Sequence, residues 1–305
     1  MRKVAALARS RCHNRPVRIR ILYETTYEYD RPVRFSLHHL RVIPRGDAFT
    51  QLLSLHFETQ PHATTRFSRD AFDNVVASFS FADAAEKLEL KMSADVEVRR
   101  KNPFDFILDA VAVDVPFAYE REFSSFLRVF ERRQSRGVIA LPGWSAPDPQ
   151  SRRDTVQTLV ELTRAIHEAI QYERREEGRA RSPAETLRRK CGACRDVAVL
   201  LAEILRSLGL AARIVSGYLR EADDTIHRAE RSLHAWTEVF LPGAGWVGLD
   251  PTNGIFCDHN FIATAVGVRP AHVTPISGNF YHHERIPARM SSRVELINLS
   301  PGNVE

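Results

Sequence analysis

Apolar and polar residues alternate along the first hundred residues in the pattern of β-strands. The clearest run covers residues 17–23, where the apolar side chains that share one face are Val17, Ile19, Ile21 and Tyr23. Runs of the same character follow at residues 25–29, 40–43, 52–57, 75–81 and 88–98. Turn-forming residues separate them, as at Asp30-Arg31-Pro32. Successive strands with no helix between them predict an antiparallel β-sandwich-like domain.

The second half of the chain follows helical periodicity instead. A first helix is predicted over residues 120–132, before a proline-rich connector at 141–149. Asp154 with Gln157 resembles a capping box at the start of the next helix. The segment 182–185 (Ser-Pro-Ala-Glu) predicts another helix start, because it offers a capping serine, a proline at the first helical position and a glutamate at the third.

The longest amphipathic helix begins near Cys194. Its apolar residues recur at helical spacing, so one face must be buried, and they are Val197, Leu200, Leu201, Ile204, Leu205 and Leu208. Gly209 is predicted to end the helix as a left-handed cap. Three strands follow, at residues 212–219, 233–241 and 245–250. A buried helix followed by an antiparallel sheet predicts an α+β fold class.

These changes of pattern divide the chain into four parts. We predict a basic N-terminal extension over residues 1–17, a β-rich domain with a C-terminal helix over 18–134, a linker over 135–150 and a catalytic core over 151–305. At 305 residues the chain has room for two domains that each bury a core of their own.

Composition narrows the class of protein. Hydrophobic residues make up 44% and charged residues 27%, as in soluble globular proteins. The net charge of +5 is spread widely, and glutamates interleave the densest basic run at residues 174–190, which favours a solvated surface and no nucleic-acid partner. No stretch reaches the ~18 uninterrupted apolar residues of a membrane span, so no membrane partner is predicted. Four irregularly placed cysteines fit a reducing compartment, and we expect a cytoplasmic protein.

Three residues of the second half have the chemistry of a thiol catalyst. Cys194, His234 and Asp250 occur in the order of a nucleophile, its base and the residue that orients the base. Cys194 sits at a helix N-terminus, where free N–H groups and the helix dipole favour the thiolate and can bind an oxyanion. His234 begins one strand and Asp250 ends the next, so an antiparallel hairpin would bring them within hydrogen-bonding reach. We therefore predict these three as catalytic residues.

Each of the three also has a structural interpretation when it is taken alone. A buried cysteine at a helix start can be a small apolar side chain, His234 can be structural, and Asp250 can begin a turn before Pro251. Their combination favours the catalytic interpretation. Close to the nucleophile, Asp196 is expected to cap the helix or form a salt bridge, and Tyr172 either approaches the oxyanion site or packs.

A second cysteine, Cys191, forms a Cys-x-x-Cys motif with Cys194. A thioredoxin-like site needs an apolar strand before its first cysteine, whereas a charged helical segment, residues 186–190, precedes Cys191. Zinc would need two further ligands, and the candidates have no standard zinc spacing: Cys257, His259, His272, His282 and His283. We therefore predict no metal site, while a regulatory Cys191–Cys194 disulfide stays an alternative.

The flanks of these residues carry a likeness to a known family. The likeness rests on residues 27–33, 40–44, 192–196, 208–218, 234–239 and 245–253. They resemble the transglutaminase-like superfamily, specifically its bacterial two-domain members, over roughly residues 18–300. The resemblance implies a papain-like thiol fold with Cys194, His234 and Asp250 as the triad, amide chemistry through a thioester acyl-enzyme, and no cofactor. The chain departs from the family pattern at Cys191 and at residues 269–272.

The expected function is that of a cysteine peptidase or amidase, with a peptide or protein as its substrate. It would cleave peptide or isopeptide amides through a Cys194 thioester. Water needs no second binding site, which favours hydrolysis over the alternative of a transglutaminase that cross-links protein glutamines. A non-catalytic binding module that reuses the fold and a redox-sensing Cys191–Cys194 pair are further hypotheses. The sequence leaves the substrate and the oligomeric state open.

Overall fold

The computed structural model describes residues 16–99, 102–135, 137, 139–148, 150–175, 178–220 and 233–299. The basic extension predicted over residues 1–17 lies almost wholly outside these described residues. The described part consists of a pair of N-terminal β-sheets and a core in which helices pack on a further five-stranded sheet.

Two antiparallel sheets form the N-terminal part. Its strands are β1 (Val17–Phe35), β2 (His38–Leu40), β3 (Thr50–Gln60), β4 (Ala63–Arg69), β5 (Val75–Phe81) and β6 (Ala85–Val98). β1, β3 and β6 belong to one sheet, and β2, β4 and β5 belong to the other. Every second residue of β6 is buried, including Leu88, Leu90 and Met92, in a cluster shared with Leu40 and Phe79 of the second sheet. The predicted antiparallel sandwich is therefore confirmed.

Two details of this sandwich differ from the sequence prediction. Asp30-Arg31-Pro32, predicted as a turn, lies inside β1, because the strand absorbs it as a shift in its register with β6 between Glu28 and Val33. β4 had no predicted counterpart, since its polar sequence lacks apolar alternation. Backbone pairing with β5 along all 7 of its residues forms the strand instead.

Helices and short strand pairs lead into the core. They are β7 (Asp114–Val115), α1 (Arg121–Glu131), β8 (Arg153–Asp154), α2 (Thr155–Ala169), β9 (Gln171–Tyr172), α3 (Pro183–Arg189), β10 (Cys191–Gly192) and α4 (Cys194–Ser207). β7 pairs with β8, and β9 runs parallel to β10. The side chain of Asp154 accepts the Gln157 N–H at 2.7 Å, and that of Ser182 accepts the Glu185 N–H at 3.3 Å. Both predicted helix starts are therefore confirmed.

An antiparallel sheet forms the centre of the core. Its strands are β11 (Ala212–Leu219), β12 (Leu233–Leu241), β13 (Gly245–Asp250), β14 (Ile255–Phe256) and β15 (Phe261–Gly267), arranged in the order β14-β13-β12-β11-β15. α4 packs against β11 and β12, and its apolar face joins residues of α2 in one buried cluster. Gly209 follows α4 with a φ of +78°, which confirms the predicted left-handed cap.

The C-terminal strands return to the N-terminal sheets. They are β16 (Ile276–Ser277), β17 (Phe280–Tyr281) and β18 (Ala288–Leu299). β16 pairs with β2, and β17 pairs with β1. β18 also pairs with β1, from Arg18 opposite Leu299 to Tyr29 opposite Ala288. The sequence analysis placed these residues in the 151–305 core, whereas their backbone hydrogen bonds lie in the sandwich.

The sandwich and the core are joined by buried contacts. Tyr218 of β11 and Ile262 of β15 are fully buried in the apolar cluster of the sandwich. The Tyr218 hydroxyl donates to the Val42 carbonyl at 2.7 Å, and the Arg45 N–H donates to the Ala263 carbonyl at 2.7 Å. Among the described residues, no helix is long and apolar enough to cross a membrane.

Candidate active site

The start of α4 is held in place by a buried carboxylate. Asp196 is fully buried, and its side chain accepts the Ala193 N–H at 2.9 Å, so it caps the helix as predicted. It also accepts the Arg181 N–H at 2.8 Å and pairs with Arg175 at 2.7 Å. These bonds fix the turn that presents Cys194, whose N–H belongs to the first helical turn, where donors lack an intrahelical acceptor.

The structure brings His234 and Asp250 together at one end of the core sheet. β12 and β13 are antiparallel, with Thr237 opposite Leu249, so the start of β12 lies beside the end of β13. His234 Nε2 lies 3.0 Å from Asp250 Oδ2, and both side chains are fully buried. A carboxylate only accepts hydrogen bonds, so Nε2 carries the hydrogen and Nδ1 is left as the basic nitrogen.

Asp250 is orientated by its own turn. Its Oδ1 accepts the Thr252 N–H at 2.9 Å, and its Oδ2 accepts the side-chain amide of Asn253 at 2.7 Å. Burial alone would raise the pKa of Asp250, but these donors and the charge of His234 outweigh burial and lower it. The sequence analysis gave Thr252 and Asn253 no role. Asp-Pro-Thr-Asn is an aspartate followed by turn-forming residues, a pattern in which a side chain accepts the N–H two residues on.

Cys194 interacts with the His234 ring. Burial alone would raise the pKa of the Cys194 thiol, but interaction with His234 and with the Ala235 N–H outweighs burial and lowers it. Since Asp250 occupies Nε2, Nδ1 is the nitrogen that remains available to the thiol. Among the described residues, buried Nδ1 has no hydrogen-bond partner.

The electrostatics of the site favour a thiolate beside an imidazolium. Burial alone would lower the pKa of His234, but the Asp250 carboxylate and the Cys194 sulfur outweigh burial and raise it. A lowered thiol pKa and a raised imidazole pKa both favour transfer of the thiol proton to His234. Cys194 is half-buried as a residue, so part of it meets solvent.

Aromatic side chains form the wall behind His234. The Trp236 ring lies nearly parallel to the His234 ring, at 26° with centroids 6.3 Å apart. The centroid of the Phe261 ring lies 6.1 Å from that of His234. Gly217 is opposite His234 in β11. A Cβ at Gly217 would stand 2.2 Å from the Ile262 carbonyl oxygen and 2.6 Å from the Trp236 ring, so only glycine leaves room for this wall.

Cys191 is held apart from Cys194 by the backbone between them. The Cys191 thiol donates to Glu173 at 3.7 Å, and both cysteines are free thiols. Cys191 and Gly192 form β10, and Ala193 is also extended, with φ −78° and ψ 166°. An extended chain of this length separates the two Cα atoms by about 10 Å, beyond the roughly 7 Å that a disulfide spans. A Cys191–Cys194 disulfide therefore requires this segment to refold.

The backbone of Tyr172 lies near the start of α4, and this placement tests neither interpretation of its side chain. It pairs with Gly192 through the β9–β10 ladder, two residues before Cys194. A surface cavity of about 480 Å³ opens beside it and is lined by residues 167–172 and Lys190. The cavity lies on the chain segment that leads into the thiol helix.

The zinc candidates do not gather around the Cys-x-x-Cys motif. Within the described residues, the candidates that come together are His282 and His283, which with Glu284 place donor atoms within 4.8 Å of one another. Glu284 also pairs with Arg31 at 3.0 Å, and the group lies between β17 and β18, on the sandwich. This group could hold a transition metal, but it offers no ligand to the thiol site.

A helix-borne thiol packed on an antiparallel sheet that carries a His–Asp pair defines a transglutaminase-like fold. Comparisons with known proteins agree with that class. Residues 147–251 match the transglutaminase-like superfamily, and residues 19–97 match the bacterial transglutaminase-like N-terminal region. The chain belongs to the transglutaminase-like superfamily, with its core behind this N-terminal region.

Relatives of similar sequence come from bacteria. An uncharacterized protein of Mycobacterium leprae is 26% identical over 86% of this chain and 92% of its own length. An uncharacterized protein of Mycobacterium tuberculosis is 27% identical over 87% of this chain and 88% of its own length. A protein-glutamine gamma-glutamyltransferase of Pseudomonas aeruginosa is 36% identical, over 21% of this chain and 10% of its own.

A solved structure shares the whole fold. A protein from Cytophaga hutchinsonii, described as a "putative cysteine protease", superposes with a TM-score of 0.64 at 15% identity. The superposition covers 95% of this chain and 93% of that chain. At this level of identity the match shows the fold, including the sandwich and the core together.

Proposed function

We propose that the protein is a thiol-dependent acyl-transfer enzyme that cleaves peptide or isopeptide amides. Cys194 is the nucleophile, His234 is the base and proton donor, and Asp250 orients His234. The observation that carries the proposal is the buried His234–Asp250 pair at 3.0 Å, which leaves Nδ1 for a thiol whose pKa is lowered. A histidine with a purely structural role would not need a reactive thiol beside its second ring nitrogen.

The chemistry follows from the positions of the atoms. The Cys194 thiolate attacks the amide carbonyl carbon, forming a C–S bond, and the developing oxyanion meets the N–H groups at the start of α4. The C–N bond breaks as the His234 imidazolium gives its Nδ1 proton to the leaving amine. Water then attacks the thioester, His234 takes the water proton, and the carboxylic acid leaves as the thiolate is regenerated. No cofactor is required by these steps.

Transfer of the acyl group to an amine is the second candidate. It is favoured by the 36% identity with the Pseudomonas aeruginosa protein-glutamine gamma-glutamyltransferase over 67 residues. In that case an amine replaces water in the second half-reaction, and the first half-reaction is unchanged. Both candidates share the Cys194 thioester.

A cytoplasmic location is part of the same proposal. It is supported by the half-buried thiols of Cys191 and Cys194, which are both unpaired with any other cysteine of the described residues. A reducing compartment keeps such thiols available for reaction.

The test is capture of the acyl-enzyme. The protein is mixed with a peptide pool and, separately, with glutamine-containing proteins plus a labelled primary amine, and intact mass is recorded. The proposal expects an adduct on Cys194 in the wild type and none in Cys194→Ala. Labelled amine in the protein product indicates transfer, and free acid indicates hydrolysis. If neither pool modifies Cys194 or yields a product, the proposal is wrong.

A further inference from the structure

One turn of the sandwich reaches into the core behind the candidate active site. It spans Asp70 to Asn74, between β4 and β5. The Asp70 carboxylate accepts the Phe72 N–H at 2.9 Å, the Asn74 N–H at 3.1 Å and the Asn74 side-chain amide at 3.1 Å, and it pairs with Arg41 at 3.2 Å. These bonds fix the turn in one conformation before it meets the core.

Asn74 joins this turn to the edge of the core sheet. Its side-chain amide donates to the Val266 carbonyl at 2.8 Å and its side-chain oxygen accepts the Val266 N–H at 2.8 Å, so it pairs with both backbone groups of one β15 residue. Asn74 is fully buried. Loss of these bonds would leave the buried Asn74 amide without its Val266 partners, at a cost in free energy. The contact therefore stabilises the packing of β15 against the sandwich.

Phe72 joins the apolar cluster that contains Trp236 and Phe261. It packs against the buried cluster of Val215, Leu219, Trp236, Cys257, Phe261 and Val266, and its ring stacks on that of His272 at 4.8 Å. Trp236 and Phe261 are the two rings that flank His234. A residue of the sandwich therefore packs on the same apolar cluster as the two rings that flank His234.

The strand that carries His234 is also anchored in the sandwich. Leu233, the first residue of β12, packs against the apolar cluster of the sandwich, and it pairs with Tyr218 of the same cluster. His234 is the next residue along the chain. The sandwich therefore contacts both the residue that precedes His234 and the apolar cluster that contains Trp236 and Phe261.

We propose that the β4–β5 turn is a positioning element of the thiol site, in which Phe72 and Asn74 hold the His234 ring in place for Cys194. This inference rests on the proposed function of the three residues. It gives the N-terminal domain an indirect part in the chemistry, through packing. Neither residue is catalytic, and both act through Trp236, Phe261 and β15.

The test is the pH profile of Cys194 alkylation in the full chain, which needs no known substrate. Iodoacetamide is the probe, and the rate at Cys194 is read by peptide mass analysis for the wild type, Phe72→Ala and Asn74→Ala. We expect both variants to react about tenfold more slowly than the wild type near pH 6, as a shift of one pKa unit requires, and equally fast at alkaline pH. Phe72→Leu, which keeps an apolar side chain, should recover most of the rate.

Phe67→Ala is the matched control. Phe67 belongs to the same hairpin, but it is 56% exposed and contacts the sandwich rather than the core. Its profile should equal that of the wild type. Thermal unfolding of every variant distinguishes loss of folding from displacement of the imidazole. If Phe72→Ala does not fold, the pH profile of Phe72→Leu should show a smaller shift in the same direction.

The outcomes separate this inference from the proposed function. Folded Asn74→Ala and folded Phe72 variants with the wild-type profile overturn the positioning role and leave the proposed function standing. If the wild-type profile shows an ordinary thiol pKa, the proposal that Cys194 is a reactive thiolate is wrong. The positioning role is then wrong as well.

Discussion

His234 uses its two ring nitrogens for different purposes. Nε2 is bound by Asp250, which also accepts from Thr252 and Asn253, so the ring cannot rotate without breaking a buried network. Nδ1 is the nitrogen left for Cys194. The chemistry of the site at this scale is therefore set by which nitrogen the carboxylate occupies.

The charge of the buried pair makes stability depend on pH in a defined way. The raised pKa of His234 adds stability that is complete below its unfolded value of about 6.5 and is lost as pH rises through the folded pKa. The lowered pKa of Asp250 adds stability that is complete above about 3.9 and is lost as pH falls through the folded pKa.

The exchange Asp250→Asn tests this prediction. The difference in unfolding free energy between wild type and variant should be largest between about pH 4 and pH 6.5, and smaller at more acid and more alkaline pH. Urea unfolding across this range measures the difference. A constant difference at all pH values would show that the pair carries no charge.

The identities of the three residues could be predicted from the sequence, because each stands at the end of an element that the local pattern defines. The supporting contacts could not. Thr252 and Asn253 act through a turn whose direction depends on β14, and Phe261 comes from a strand that was not predicted. The ion-pair partner of Asp196 is Arg175, 21 residues earlier in the chain, and no local pattern indicates that pairing.

At the scale of elements, α4 is the part on which the thiol depends. Its bounds were predicted to within a residue, since apolar spacing and Gly209 are local signals. Its N-terminus has no capping side chain at Ala193, and the buried carboxylate of Asp196 supplies that function from inside the first turn. The helix start is thus tied to residues far along the chain.

Removal of that carboxylate should weaken both the fold and the thiol. We expect Asp196→Ala to lower the unfolding free energy by about 3 kcal/mol, because Arg175 loses a buried partner and two backbone N–H groups lose their acceptor. Denaturant unfolding measures this loss. Asp83→Ala, at an exposed position, should change it by no more than about 0.5 kcal/mol, and equal losses in the two variants would contradict the capping role.

At the scale of the whole molecule, the last described strand of the chain pairs with the first. β18 pairs with β1 over 12 residues and completes the outer sheet of the sandwich, although the core lies between them in sequence. Its apolar alternation is weak and most of its residues are exposed, so no local signal indicates where it pairs. Long-range pairing of this kind is the part of the fold that sequence patterns did not predict.

Truncation tests this closure. A chain that ends at residue 287 leaves one edge of β1 unpaired, and we expect it to aggregate or to melt about 10 °C or more below the full chain. A chain that ends at residue 299 keeps β18 and should melt with the full chain. Size-exclusion chromatography and thermal unfolding compare them, and equal behaviour of the two truncations would contradict the structural role of β18.

Cys194 is proposed to be a thiolate because the His234 imidazole lies beside it. The most direct measurement is a pH titration of the ultraviolet absorbance of the thiolate, taken as the difference between wild type and Cys194→Ser, and repeated in a His234→Ala background. We expect the wild-type transition to lie well below the ordinary thiol value of about 8.5, and to return to that value or above without the imidazole. A transition at the same pH with and without His234 would contradict it.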